Sequence, residues 1–290
     1  MSTKPMKVQE FFKKFPNDDA CLEHVFVTRF GQSYACPKCK KATKWHKLTS
    51  TRAYSCQKCG HHLHPTVGTP FESSRTPLQL WFYAIYLFTT TRNGVAAKEL
   101  QRQLGVTYKC AWRMGHEIRK HMALVDGDSP LSGHVEIDEV YIGGRDKKQG
   151  RPTEASNKTA VLGMLQRNGD IVLRVIEDTK GSSIIPHVRE HVQEGTTIST
   201  DDAHVYKKLK NRYKHDSVNH SQDEWVRGDV HTNSIEGFWA HLQKGIGSTH
   251  IAVSKRHMAK YLGEFEYRFN SRSNPEQMFP ELISSFVSQK

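Results

Sequence analysis

The carboxylates best placed to do chemistry lie in three short stretches. In HVEIDEVYIGG, residues 134–144, the two-residue period of a strand puts Val135, Ile137, Glu139 and Tyr141 on one face and Glu136, Asp138, Val140 and Ile142 on the other. Asp138 is then a mid-strand carboxylate between apolar neighbours, costly to bury unless a cation compensates it, and a divalent metal is a natural partner. A half-exposed strand with its acidic residues facing water accounts for the same pattern. TTISTDDAHVYKKL sets Asp201 and Asp202 at a strand end, where open α/β sheets place ligand sites and where a helix N-cap serves equally well as a local explanation. HTNSIEGFWAHLQK puts Glu236 on a helix with Asn233 three residues earlier on the same general face, and Thr232 or Ser234 as a candidate cap. Each stretch by itself is compatible with ordinary structure.

A second chemistry is written in cysteine. Cys36-Pro-Lys-Cys39 and Cys56-Gln-Lys-Cys59 are separated by sixteen residues, a spacing that sets four thiolates tetrahedrally around Zn²⁺. Two disulfides would require an oxidising compartment, and no targeting signal points to one. Residues 34–64 hold few aliphatic side chains, so a metal supplies what an oily core cannot. His61, His62 and His64 follow the second knuckle and are expected at the surface or facing phosphate. Cys21 and Cys110 sit among apolar helix positions and read as free buried thiols.

The elements that must position these residues follow from pattern. The first thirty residues read as one or two short helices closed by Gly31. TPLQLWFYAIYLFTTT reads as a buried helix with proline in its first turn, followed by VAAKELQRQL and YKCAWRMGHEIRKHM. The short turn in QLGVTYK between the last two gives the shape of a helix-turn-helix, although a helical bundle serving only for packing has the same pattern. DGDSPLSG marks a boundary, and three β-rich runs follow, the last two joined by the hairpin signal Arg167-Asn168-Gly169. Helix, strand, helix, strand and helices come next. Such an order predicts a mixed α/β sheet of the ribonuclease H-like kind. The expected divisions are an N-terminal helical segment over 1–33, a zinc ribbon over 34–70, a helix-turn-helix-like segment over 71–130, the ribonuclease H-like domain over 131–272 and a C-terminal tail over 273–290.

The 290 residues carry a net charge of +12 and a pI near 9.4, which favours a polyanionic partner, either nucleic acid or an anionic membrane. The start, MSTKPMKVQEFFKK, holds no signal-peptide apolar run, and the most apolar stretch, Leu78 to Phe88, falls well short of the ~20 residues needed to cross a bilayer. The expected compartment is the cytosol and the expected partner DNA or RNA rather than a membrane.

EID followed by YIGG, TD at a strand end, and HTN-x-IEG-x-W, together with HLQKGIGSTH, YLGEFEYRFNSR and the zinc ribbon, resemble the DDE transposases of bacterial insertion sequences, in the ISXO2-like group related to eukaryotic Merlin elements. The likeness covers most of residues 34–272. It implies a ribonuclease H-like catalytic domain, bacterial cytoplasm at the nucleoid, and a homodimer or higher oligomer on DNA, the DNA being the element's terminal inverted repeats and its target. Carried over, it makes Asp138 the first catalytic carboxylate and Asp201 the second, with Asp202 where the group often has glycine. The third position varies between Glu and Asn in this group; Glu236, thirty-five residues after Asp201, fits it, and Lys244 stands where the group carries lysine.

The activity implied is cutting of DNA at the element's ends and joining of 3′ ends to a target, with two Mg²⁺ (or Mn²⁺) ions held by Asp138, Asp201 and Glu236. Asn233 and His231 would support by hydrogen bonding, and Lys244 would bind phosphate as a point charge. Lys109, Arg113, Arg119 and Lys120 are the expected DNA contacts of the helix-turn-helix. The ribbon's Lys38, Lys40, Lys41, Lys44 and Lys58 would face phosphate. Phe238, Trp239, Phe265, Tyr267 and Phe269 read as core, and Arg268 and Arg272 are expected toward the active-site groove. Two other readings share these features: a DNA-binding regulator descended from such an enzyme, and a ribonuclease H-like nuclease without strand transfer.

Overall fold

Near the N-terminus a helix starts where the sequence offers a cap: Asn17 accepts the Ala20 amide at 3.0 Å and opens α2 (Asp18–Phe30), which follows the short α1 (Val8–Lys14). The computed structural model describes residues 4–126, 130–143, 158–201, 204–218, 224 and 226–288. They divide into two units: Met1–Thr91 with Ala97–His121 and Asn274–Lys290, and Arg92–Ala96 with Met122–Ser273. No helix among the described residues is long and apolar enough to cross a membrane.

In the first unit the cysteine-rich stretch forms a small antiparallel sheet of β1 (Trp45–Lys47), β2 (Tyr54–Cys56) and β3 (His62–Leu63). It is followed by α3 (Leu78–Thr90), α4 (Ala97–Leu104) and α5 (Tyr108–Val125). Gly105, at φ +64°, makes the turn between α4 and α5, a left-handed conformation that glycine adopts without a Cβ penalty. Leu100, Leu104, Ala111, Met114 and Ile118 are buried, so α4 and α5 are packed through one face each.

Residues 273–290, expected as a tail, instead contain α9 (Met278–Val287). Phe279, Leu282, Ile283 and Phe286 recur at helical spacing and are buried; Phe286 stacks on Phe71 with ring centroids 5.4 Å apart, and Phe279 lies 5.7 Å from Phe15. The helix completes the aromatic core of this unit. At about 1.5–3 kcal/mol per buried large apolar side chain, it is a structural element of the unit.

The second unit is built on a five-stranded sheet in the order β6-β5-β4-β7-β8, formed by β4 (His134–Ile142), β5 (Thr159–Gln166), β6 (Ile171–Val175), β7 (Thr197–Asp201) and β8 (Lys214–Val218). β4, β5 and β6 are antiparallel, whereas β7 and β8 run parallel to β4. This is the mixed ribonuclease H-like sheet expected from the element order. Asn168, at φ +58°, turns the β5–β6 hairpin.

Strand alternation gives the sheet two buried faces. On one, Val135, Ile137, Leu162 and Ile198 pack with α6 (Gly181–His191) and with the 3₁₀ turn His204–Asn211. On the other, Ile142, Val161 and Leu165 pack with α7 (Asn233–Thr249) and α8 (Lys255–Asn270). Even-numbered β4 side chains therefore meet α7. That is the face on which Glu136 and Asp138 lie.

Candidate active site

Asp138 stands opposite Gly163 of β5 near the middle of β4. β4 and β7 pair with His134 beside Thr197, Val135 beside Ile198 and Glu136 beside Ser199; extending that register brings Asp138 level with Asp201, the last residue of β7. Ile198 faces α6, so Asp201, like Asp138, faces α7. Glu236 sits in the first turn of α7. Burial, and then the negative charges of Asp201 and Glu236, push the Asp138 carboxyl up to about 6, against the pull of hydrogen bonds from its surroundings. The three carboxylates named from sequence thus share one field on one face of the sheet. Among the described residues, ligand atoms lying all within 4.8 Å of one another occur at Cys36/Cys39/Cys56/Cys59 and at His187/Glu190/His191, and the carboxylate trio is more open than these. Asp202 lies outside the described residues.

Trp239 does more than fill the core. Its indole Nε1 donates to Asp138 Oδ2 at 3.0 Å, fixing the carboxylate from the helix side. The approach depends on Gly163: a Cβ there would stand 2.5 Å from two indole carbons and 3.0 Å from Ile235 Cδ1. A strand glycine opposite the key aspartate is the signal that could have pointed to this pairing. Gly163→Val is expected to lower unfolding stability by about 1–3 kcal/mol and shift tryptophan fluorescence, measured by urea titration, because the indole must leave its seat.

Glu136, fully buried two residues before Asp138, organises the start of α7. Its carboxylate accepts from the backbone amides of Ser234 at 2.9 Å and Ile235 at 3.0 Å, from Ser234 Oγ at 3.0 Å and from Arg167 Nε at 2.7 Å. Thr232 and Ser234 were the caps expected from sequence, but the anion satisfying the helix amides comes from the sheet. Thr232 instead donates its hydroxyl to Glu236 Oε1 at 2.7 Å. Arg167 also donates to the carbonyls of Asp229 at 2.8 Å and His231 at 3.1 Å, tying down the approach to the helix. His231 Nδ1 is 3.3 Å from Glu136 Oε1, Asn233 is exposed at the first helical residue, and Lys244 is exposed further along α7.

Glu139 points to the opposite face, as its parity requires, and accepts from the buried Tyr206 hydroxyl. Burial, together with Asp138 and Asp201, raises its carboxyl to about 7, outweighing the Tyr206 hydrogen bond. Sequence reasoning assigned no part to Glu136, Arg167, Gly163 or Tyr206.

At the ribbon, Cys36 Sγ is 3.6 Å from Cys59 Sγ and Cys39 Sγ 4.0 Å from Cys56 Sγ. Four sulfurs at about 2.3 Å from zinc would be spaced by roughly 3.8 Å, so the donor set fits a closed structural Zn²⁺ site. Lys38, Lys40, Lys41, Lys44 and Lys58 lie in the same stretch, and all five are exposed.

On α5, Lys109, Arg113 and Lys120 are exposed, beside exposed Tyr108 and Trp112. Arg119, expected with them, is only 2% exposed, and its guanidinium lies over the Phe88 ring 5.0 Å from the centroid. A helix turns 100° per residue, which carries Arg119 to the packed side while Lys120 stays outside. Arg268 is likewise drawn inward, pairing with buried Glu264 at 2.8 Å, whereas Arg272 holds the carbonyls of Phe269 and Gly169. Phe238, Trp239, Phe265 and Tyr267 are buried, and Phe269 packs edge-on to Phe238, as expected of core.

A four-cysteine cluster thus precedes a mixed sheet whose strands carry Asp138 and Asp201, with Glu236 on the helix packed against that face. Residues 130–270 match the ISXO2-like transposase domain and residues 16–62 the transposase zinc-ribbon domain. Residues 130–270 thus belong to the ISXO2-like transposase domain family and residues 16–62 to the transposase zinc-ribbon family. Among the chain's relatives is the uncharacterized protein in transposable element ISH50 of Halobacterium salinarum, 29% identical over 276 residues, covering 88% of this chain and 92% of that one. Another is an uncharacterized transposase-like protein of Haemophilus influenzae, 27% identical over 105 residues, 36% of this chain and 84% of that one. Among solved structures, the Mos1 strand transfer complex aligns at 14% identity and a TM-score of 0.30 over 71% of this chain and 78% of that one. The Mos1 paired-end complex aligns at 14% and 0.31 over 72% and 80%. Superposition that loose says nothing about individual residues.

Proposed function

We propose that this transposase cuts DNA at the ends of its own insertion sequence and joins the freed 3′ ends to a target, with Asp138, Asp201 and Glu236 as the catalytic carboxylates. The observation that carries the reading is the placement of Asp138 on β4 level with Asp201 at the end of β7, with Glu236 in the first turn of the α7 helix packed on that face; burial first, and then those two charges, raise the Asp138 carboxyl. Mutually repelling oxygen donors of this kind suit hard divalent ions such as Mg²⁺ or Mn²⁺. When bound, such ions supply activation of water or a 3′-hydroxyl and neutralise charge on the departing oxygen.

The chain's own residues provide placement. Trp239 holds one oxygen of Asp138, Thr232 holds one oxygen of Glu236, and Glu136 with Arg167 sets where α7 begins. Asn233 and His231 support the helix start, and exposed Lys244 meets DNA phosphate. Lys109, Arg113 and Lys120 with Tyr108 and Trp112 form the surface that reads the terminal repeats, while the ribbon lysines grip phosphate without reading sequence. Buried Arg119 is no part of that surface. Two element ends handled together call for a homodimer or larger assembly on DNA, acting at the bacterial nucleoid.

The test is cleavage and joining of DNA carrying the element's ends in Mg²⁺. Wild type is expected to produce both products; Asp138→Ala, Asp201→Ala and Glu236→Ala are expected to keep end binding and lose roughly a thousandfold or more in rate, as for several kcal/mol of lost transition-state stabilisation. Retention of activity by all three variants would show the assignment to be wrong.

A further inference from the structure

α6, on the sheet face opposite the three carboxylates, carries a further group of side chains able to ligate a metal. His187, Glu190 and His191, in the run His187-Val188-Arg189-Glu190-His191, stand at i, i+3 and i+4, the positions that neighbour one another on a helix. One ligand atom from each lies within 4.8 Å of the other two. Glu190 Oε2 is 3.7 Å from His191 Nε2 and 4.0 Å from His187 Nδ1, and the two imidazole planes differ by 9°. Four-coordinate ions with bonds of about 2.1 Å need donor atoms roughly 3.4 Å apart. The two pairs through Glu190 exceed that spacing by about 0.3 and 0.6 Å and the imidazole pair is bounded at 4.8 Å, gaps that side-chain rotation at His187 and Glu190, whose side chains are 31% and 67% exposed, can close.

The helix beneath them is fixed. Ile184, Ile185 and Val188 are buried in the sheet core, and Tyr213 Oη donates to the carbonyls of Val188 at 3.5 Å and Val192 at 3.3 Å. His191 is itself 4% exposed, so one ligand is anchored while the other two can adjust. Two imidazoles with one carboxylate form a nitrogen-rich donor set, which selects Zn²⁺, Ni²⁺ or Cu²⁺ over Mg²⁺, the reverse of the preference of the oxygen-only trio on the other face.

We propose that His187, Glu190 and His191 bind one transition-metal divalent ion, with a coordination position left to solvent. The site is separate from the zinc ribbon and from the carboxylates assigned to DNA chemistry, and it does not depend on that assignment. Calorimetric titration of untagged, zinc-replete full-length protein with Ni²⁺ tests it. Wild type and Asp138→Ala are expected to bind one Ni²⁺ alike, whereas His187→Ala should bind it at least about tenfold more weakly, since even the loss of a residue supporting a ligand costs that much. Electron spin resonance of the Cu²⁺-loaded wild type should show coupling to imidazole nitrogens that is reduced in His187→Ala. Glu190→Gln, at an exposed position, provides a second variant whose folding is not in question. Equal Ni²⁺ affinity and stoichiometry in wild type, His187→Ala and Glu190→Gln would overturn the proposal and leave an ordinary ion pair.

Discussion

Asp138→Asn should yield a more stable protein that no longer cuts DNA. In the folded chain the Asp138 carboxyl is raised from 3.8 to about 6, first by burial and then by Asp201 and Glu236. A raised carboxyl means that the folded state holds this proton more tightly than the unfolded state. Stability contributed at this site therefore increases as pH falls from about 6 toward the ordinary carboxylate range, and at pH 8 ionised Asp138 costs the metal-free fold roughly 2–3 kcal/mol. Asparagine removes that cost and can still accept the Trp239 hydrogen bond through its carbonyl oxygen. Thermal unfolding without added Mg²⁺ should show the variant melting several degrees above wild type at pH 8, with the gap shrinking between pH 6 and pH 4. Added Mg²⁺ should raise the wild-type midpoint more than that of the variant. A variant less stable than wild type at pH 8 would show that Asp138 is not strained by its neighbours.

Glu136→Ala is expected to be the most damaging single change near the site without touching a proposed catalytic group. It removes the carboxylate that caps α7 and leaves Arg167, 18% exposed, without its buried partner. Breaking a buried ion pair from one side costs about 3–5 kcal/mol, and loss of the cap adds to it. Because α7 carries Glu236 and Trp239, DNA cleavage should fall with the helix start even under conditions where the domain stays folded. The urea midpoint should drop accordingly, and amide exchange at residues 233–236 should quicken more than exchange in β4. A Glu136→Leu/Arg167→Met double variant should recover part of the stability, because no unpaired charge remains, but not the order of the helix start. Unchanged exchange at 233–236 in Glu136→Ala would contradict the capping role.

The parts legible in sequence were those whose rules are local. Two Cys-x-x-Cys knuckles fix a metal site by spacing alone, and strand parity correctly separates Glu136 and Asp138 from Glu139. The parts that were not legible depend on partners far along the chain. Glu136 caps amides almost a hundred residues away, so Thr232 and Ser234, adjacent to the helix, looked like the natural caps. Gly163 matters only because Trp239 crosses the strand at that point. Arg119 and Lys120 are neighbours in sequence with opposite fates, because burial of a helix face is decided by what packs on it. The ten residues of α9 carry an apolar stripe too short to declare itself without the aromatic core that receives it.

Glu236, rather than Asn233, is the third group of the proposed site, and on that choice the catalytic role of the α7 start depends most directly. Joining of pre-cleaved element ends to target DNA in Mg²⁺, compared between Glu236→Gln and Asn233→Ala, measures the choice without depending on the first cut. The expected result is a loss of about a thousandfold in Glu236→Gln and a loss within about tenfold in Asn233→Ala, as for a charged ligand against a neutral supporting residue. Full joining activity in Glu236→Gln with none in Asn233→Ala would contradict it.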